Sequence, residues 1–259
     1  MSADMDPICN DLAAEHAALD AIVADLTEQQ WATPTPASGW DVRDTIVHIV
    51  QADEAGYLAV ADPERFEQAK GEVMKGGLDA FGSGRGRSGA ETLAWWRDTR
   101  QKMLDAFRPL GAKDRIPWFG PSMSALSFAT ARLMETWSHG QDVATALGRP
   151  IAPTDRLRHV AHIGVTTRGW SYANRGRQAP DVPVRVELLA PSGDTWRWGP
   201  DDAVEVVRGD ALDFCLVVTQ RVPVGATKLQ TEGGAAAEWL ALAQAFAGPP
   251  TITEATRAG

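Results

Sequence analysis

Four stretches between residues 7 and 148 carry apolar side chains at the spacing of an amphipathic helix, and a chain patterned this way must pack helix on helix. The first, residues 7–30, places Ile8, Leu12, Leu19, Ile22, Val23 and Leu26 on one side, with acids between them. The loop WATPTPASGW (31–40) interrupts it with prolines, a serine and a glycine. Asp41 is the predicted N-cap of the second helix, Asp44 suits its first turn, and Ile46, Ile49, Val50 and Tyr57 form its apolar side. The third, 90–110, carries Leu93, Trp96, Met103, Leu104 and Phe107 and ends at Pro109 and Gly111. The fourth, 122–147, carries Met123, Leu126, Leu133, Met134, Trp137, Val143 and Leu147 and stops at Gly148-Arg149-Pro150. Four such helices predict a four-helix bundle with long connections after the first and second. Residues 61–89 read as one of those connections, and FGSGRGRSG (81–89) as its mobile part. That segment has neither the preceding strand nor the lysine of a phosphate-cradling loop. Arg85 and Arg87 are therefore read as solvated, with contact to an anionic ligand as the other reading.

Beyond residue 150 the pattern changes. TDRLRHVAHIGVTTRGWSYANRG (154–176) predicts a fifth helix. Segments 182–191 and 195–200 have strand character, and Pro-Ser-Gly-Asp between them signals a hairpin turn. Residues 203–210 predict a third strand, and 211–223 suit either strand or helix. A short strand in TKLQTEG (227–233), a helix over 234–248 and a frayed tail, TITEATRAG, complete the chain. The expected fold class is α plus α+β. A helical bundle covers 1–150, a connecting helix 151–179, and a small α+β domain 180–259.

Composition narrows the function classes. A net charge of −9 argues against a nucleic-acid-binding surface and against attraction to anionic membranes. No apolar run approaches the roughly 18–20 residues of a membrane span. The opening MSADMDPICNDLAAEH is acidic and lacks the basic-then-apolar plan of a signal peptide. Cys9 and Cys215 stand in no metal or redox motif, as expected for a reducing, cytoplasmic setting.

The chemistry concentrates in LMETWSHGQDVATALGRP (133–150), where Glu135 and His139 stand one helical turn apart on one face. Such a pair can hydrogen-bond, share a proton or hold a metal. His48, in the second predicted helix, is the natural third ligand if the two helices face each other, although a histidine there also fits simple packing. Three N/O ligands suit zinc or another first-row divalent ion and leave a coordination position open. Asp142 is placed to support His139 or to cap a neighbouring element. His16, and the His159/His162 pair three residues apart, read as packing or surface residues, because no third ligand is spaced with them.

The combination of SGWDVRDTIVHI (38–49) with ARLMETWSHGQDVATALGRP (131–150) resembles the mycothiol-dependent maleylpyruvate isomerase family. Gly-Trp with a histidine eight residues after the tryptophan, Glu-x-x-x-His-x-x-Asp, and the closing Gly-Arg-Pro carry the resemblance. It implies a DinB-like metal-binding bundle and a sterol-carrier-like second domain, zinc on His48, Glu135 and His139, and mycothiol as a thiol cofactor whose sulfur binds the metal. It also implies that the thiolate adds to a conjugated cis double bond, with rotation and elimination giving the trans isomer. An arginine of the second domain then holds the acidic substrate, and Arg221 is the best match, preceded here by Gln220 where the family has glycine. Features such as ETWSHGQD and TDRLRHVAH mark a distinct subgroup with no assigned reaction. Three functions follow: a thiol-dependent isomerase or transferase on a small acidic substrate, a metal-dependent hydrolase or lyase without thiol, and a non-catalytic protein that binds metal and an acyl or lipid ligand.

Overall fold

The structure, a computed structural model, describes residues 4–251, the side chains of 74–76 excepted. The frayed-tail expectation for 252–259 lies outside the described residues. The chain divides into two compact units, Met1–Ile151 and Ala152–Gly259.

In the first unit the four expected helices form the bundle: α1 (Asp6–Val23), α3 (Val42–Ala61), α5 (Gly89–Phe107) and α6 (Ala125–Leu147). α3 packs against α5 and α6, and α1 against the same two, so the helices form a closed ring. The core between them holds Leu19, Val23, Ile46, Ile49, Val50, Trp96 and Val143. The first helix ends earlier than its apolar pattern predicts. A turn follows Val23, and Thr27 and Gln30 form a capping box that starts a separate short helix, α2 (Glu28–Trp31). Asp41 and Asp44 form the same device at the start of α3, and Ser88 and Glu91 at the start of α5.

Residues 61–89 depart most from expectation. They contain α4 (Pro63–Gly76) and a 3-10 turn over Leu78–Phe81. Asp62 caps α4 by accepting from the Arg65 amide at 3.1 Å, and Pro63 sits at the first helical position, where its missing N–H costs nothing. Only Phe66 and Ala69 of the described side chains of α4 are buried, so its apolar stripe is thin. The loop IPWFGPS is closed at its base by a small antiparallel pair, β1 (Arg115–Ile116) and β2 (Met123–Ser124).

In the second unit the predicted fifth helix is broken into α7 (Leu157–Thr166) and α8 (Arg168–Ala173). The Thr166 and Thr167 hydroxyls turn back onto the carbonyls of His162 and Ile163, competing with the helical ladder at the break. Four strands form a mixed sheet, β3 (Val184–Leu189), β4 (Thr195–Trp198), β5 (Glu205–Asp210) and β6 (Gln230–Glu232), in the order β4-β3-β5-β6. β3 and β4 make the expected hairpin, whereas β5 lies parallel to β3 on its other side. The ambiguous 211–223 segment gives a helix, α9 (Ala211–Val218), with Ala211, Phe214, Cys215, Val217 and Val218 buried. Its apolar residues run around the helix because α7 and the sheet both cover it. α10 (Gly234–Leu242) ends short of the predicted 248, because the Gln244 amide donates to the Ser171 hydroxyl and the Ala245 amide to the Val218 carbonyl.

α2 docks on α5 through a close approach. The Glu28 carboxylate accepts from the Gly89 amide at 2.8 Å, and a methyl group on Gly89 would lie 2.1 Å from the ring of the fully buried Trp31. Gly89→Ala is expected to destabilise the first unit by about 1–3 kcal/mol, read as a lower urea midpoint with an unchanged m-value. An unaltered midpoint would show that the ring yields.

Candidate metal centre

The capping box of Asp41 and Asp44 fixes where α3 begins, and with it the position of His48 in the second turn. Glu135 and His139 lie in the middle of α6. His48 meets the Glu135–His139 pair, while Asp53, further along α3, meets Arg132, earlier on α6. The two helices therefore run antiparallel, and their register brings the three expected ligands together. One ligand atom from each of His48, Glu135 and His139 lies within 4.8 Å of the others. Among the described residues this is the one such cluster; His159 and His162 join none. His162 lies at the surface, where its Nδ1 sits 3.3 Å from the Trp198 indole nitrogen. His16 is buried in the bundle rather than at the surface.

The donor set fits a divalent ion. His139 Nε2 is 3.4 Å from a Glu135 oxygen. Ligand bonds of about 2.0–2.2 Å in a tetrahedral site put neighbouring donor atoms roughly 3.3–3.6 Å apart. On its other side His139 Nδ1 lies 3.2 Å from a carboxylate oxygen of the buried Asp142. Carboxylates thus face both ring nitrogens, and a neutral imidazole has only one N–H to give. With Asp142 taking the Nδ1 proton, the Nε2 lone pair points at Glu135, an arrangement that calls for a cation between them. Burial favours the neutral form of Glu135, but a protonated His139, which donates to it from Nε2 where no ion takes that place, and the charges of Arg132 and His48 outweigh it and hold its pKa at about 2. The carboxylate is an anion at neutral pH.

Trp40 closes one side. The loop before α3 is pinned by two bonds from Thr35 to the Trp40 carbonyl. The indole packs on both histidines, with ring centroids 4.9 Å from His48 and 5.8 Å from His139, and the two imidazoles stand 4.9 Å apart at 72°. Sequence reasoning used Trp40 as a landmark and missed its contact with the ligands; its place just ahead of the N-cap was the available signal. It also missed Arg132, an arginine on the buried face of α6.

Arg221 lies in the second unit, just after α9, half-buried, with Nη1 donating to the Thr219 carbonyl at 2.7 Å. Gln220 before it is the one described non-glycine residue at positive φ, 58°. That is the left-handed region a glycine enters freely, and Gln220 is held there by bonds from its side chain to the Ala243 carbonyl and from Thr251. Both cysteines are buried, and burial raises the pKa of each thiol. Burial and the raised pKa both disfavour the nucleophilic thiolate. Arg85 is almost fully exposed beside Asp79, and Arg87 lies over the Trp95 ring.

Residues 12–144 match the family model of the mycothiol maleylpyruvate isomerase N-terminal domain. The chain belongs to this family. Two uncharacterised proteins of Mycobacterium tuberculosis, from two strains, are each 44% identical to it over 252 residues, covering 96% of this chain and 98% of theirs. The fold is that of a crystal structure of the mycothiol-dependent maleylpyruvate isomerase, with a TM-score of 0.58 at 14% identity over 88% of this chain and 92% of that one. A histidine-to-alanine mutant of that enzyme gives 0.54 at 13% identity over the same shares. The maleylpyruvate isomerase resemblance read from residues 38–49 and 131–150 thus holds at the level of family and fold.

If the three side chains hold an ion, His48→Ala and His139→Ala should each lose it from protein dialysed against trace zinc, as read by elemental analysis. Asp142→Asn should keep the ligands but weaken zinc binding by about 10–100-fold in a chelator competition. Full metal content in both histidine variants would remove them from the centre.

Proposed function

We propose that the protein is a metal-dependent enzyme that uses mycothiol to isomerise, or transfer to, a small acidic substrate. The observation that carries the proposal is the convergence of His48, Glu135 and His139 at the meeting of α3 and α6. Membership of the mycothiol maleylpyruvate isomerase family supports the thiol. Cys9 and Cys215 are both buried, so a thiol reaction at this centre would take its sulfur from outside the chain. Among the described residues no helix is long and apolar enough to cross a membrane.

Zinc held by these three residues would leave a position open and lower the pKa of a thiol bound there. The chain's own groups have separable tasks. Glu135 offers one negative charge and the imidazoles neutral nitrogen donors, so a divalent ion held there would keep net positive charge to favour a thiolate. Asp142 sets the tautomer of His139. Trp40 excludes water from one side of both rings. Arg221 is the proposed anchor for the substrate carboxylate, because a guanidinium offers a carboxylate two parallel N–H bonds.

Turnover of a candidate cis-configured unsaturated acid should need added mycothiol. Equal rates without it would favour hydroxide at the open position, the hydrolase or lyase reading. Arg221→Ala should raise KM for an anionic substrate about 10-fold or more and leave zinc content unchanged; an unchanged KM and kcat would take Arg221 out of the site.

A further inference from the structure

One buried ion pair links the two helices that carry the proposed ligands. Arg132 on α6 donates from Nε to Asp53 on α3 at 2.9 Å, and their side chains are 5% and 0% exposed. A second nitrogen of the same guanidinium, Nη2, lies 3.4 Å from the carbonyl of Ile49, the residue next to His48. Arg132 thus touches α3 at two points one turn apart. Such a fork resists both sliding and rotation of one helix against the other, which a single contact does not. The positions match the antiparallel register. Five residues along α3 from His48 is Asp53, and five residues back along α6 from the midpoint of Glu135 and His139 is Arg132.

Stability is a poor reason for this pair. Two ions taken out of water lose most of their attraction to desolvation, and well-packed apolar side chains of similar volume generally serve as well. The surroundings sharpen the point. Asp53 Oδ2 makes no close hydrogen bond, although the buried Trp96 indole N–H favours the carboxylate from nearby, and His16 Nε2 stands 3.8 Å from it with neither ring nitrogen closely hydrogen-bonded. Arg100, the other cation near His16, is turned to Asp20, the His16 carbonyl and the Trp96 ring. Asp53 is therefore closely bonded by Arg132 on one oxygen and only weakly served on the other, a cost an apolar residue would avoid. What apolar residues lack is direction: they allow helices to shift by fractions of an ångström, whereas ligand atoms must be held within about 0.5 Å.

We propose that Arg132 and Asp53 are positioning residues that set the register of α3 on α6 and so hold His48 within reach of an ion shared with Glu135 and His139. The proposal rests on the metal-binding reading of those three residues and adds to it a pair that touches neither metal nor substrate.

The test uses the full chain and zinc alone. The paired change Asp53→Leu with Arg132→Met replaces the fork by apolar side chains. It should leave the thermal midpoint of the zinc-free protein within a few degrees of wild type, while zinc affinity, measured by competition with a chromophoric chelator, falls about 10-fold or more. The visible spectrum of the cobalt-substituted protein should change with it, since that spectrum reports ligand geometry and not global stability. Arg132→Lys keeps the charge without the fork and serves if the paired variant does not fold; it should weaken zinc binding at least 3-fold and shift the cobalt spectrum. Wild-type affinity and an unchanged cobalt spectrum in a folded variant overturn the positioning role alone. A wild-type chain that binds no zinc overturns the metal centre, and the positioning role with it.

Discussion

The contact between α3 and α6 is the constraint on which the rest of the first unit depends. A bundle buries its apolar stripes in many registers at similar free energy, because apolar packing is non-directional. If His48, Glu135 and His139 hold an ion as proposed, that ligand set tolerates one register only. The devices that restrict the choice are polar: the Asp41–Asp44 capping box that fixes the start of α3, the Ser124 hydroxyl that caps α6, and the fork from Arg132 to Asp53 and Ile49 between them. The remaining helices complete the walls. α1 and α5 close the ring on the far side, and α2 with Trp31 seals the opening of α5.

Much of this bundle was legible because its four main helices carry broad apolar stripes. α4 was not, because charge surrounds its few apolar residues and propensity is a weak signal without a stripe. Its start was marked, by a capping Asp62 ahead of Pro63, but start signals alone do not reveal how far a helix runs. The break between α7 and α8 and the early end of α10 were illegible for a different reason. Each follows from hydroxyl or amide bonds made locally or to distant residues, such as Ser171 with Gln244, and apolar period says nothing about those. The 211–218 segment shows the limit of periodicity itself, since a fully buried helix and a buried strand read alike.

The site divides along the same line. Glu135, His139 and Asp142 share one helix, so their spacing alone placed them side by side. His48 entered by the assumption that α3 and α6 face each other, and by family resemblance. Trp40 entered only as a landmark, and Asp53 and Arg132 did not enter at all. The Asp53–Arg132 pair joins residues 79 apart in the chain, and no local pattern encodes such a contact. Arg132 nonetheless left a trace: a charged residue on the buried face of an otherwise apolar stripe contradicts the pattern, and contradictions of that kind concentrate near functional sites.

The burial of both cysteines has a consequence for the life of the protein among small thiols. A chain that handles a low-molecular-weight thiol also meets that thiol's disulfide, and an exposed, ionised cysteine would exchange with it to form a mixed disulfide. Cys9 lies closed within the bundle, and Cys215 within α9, its sulfur 3.5 Å from the Leu157 carbonyl. Neither offers a thiolate to that exchange. If the chain uses a small thiol as proposed, neither cysteine stands ready to take that thiol up as a mixed disulfide while the fold is intact.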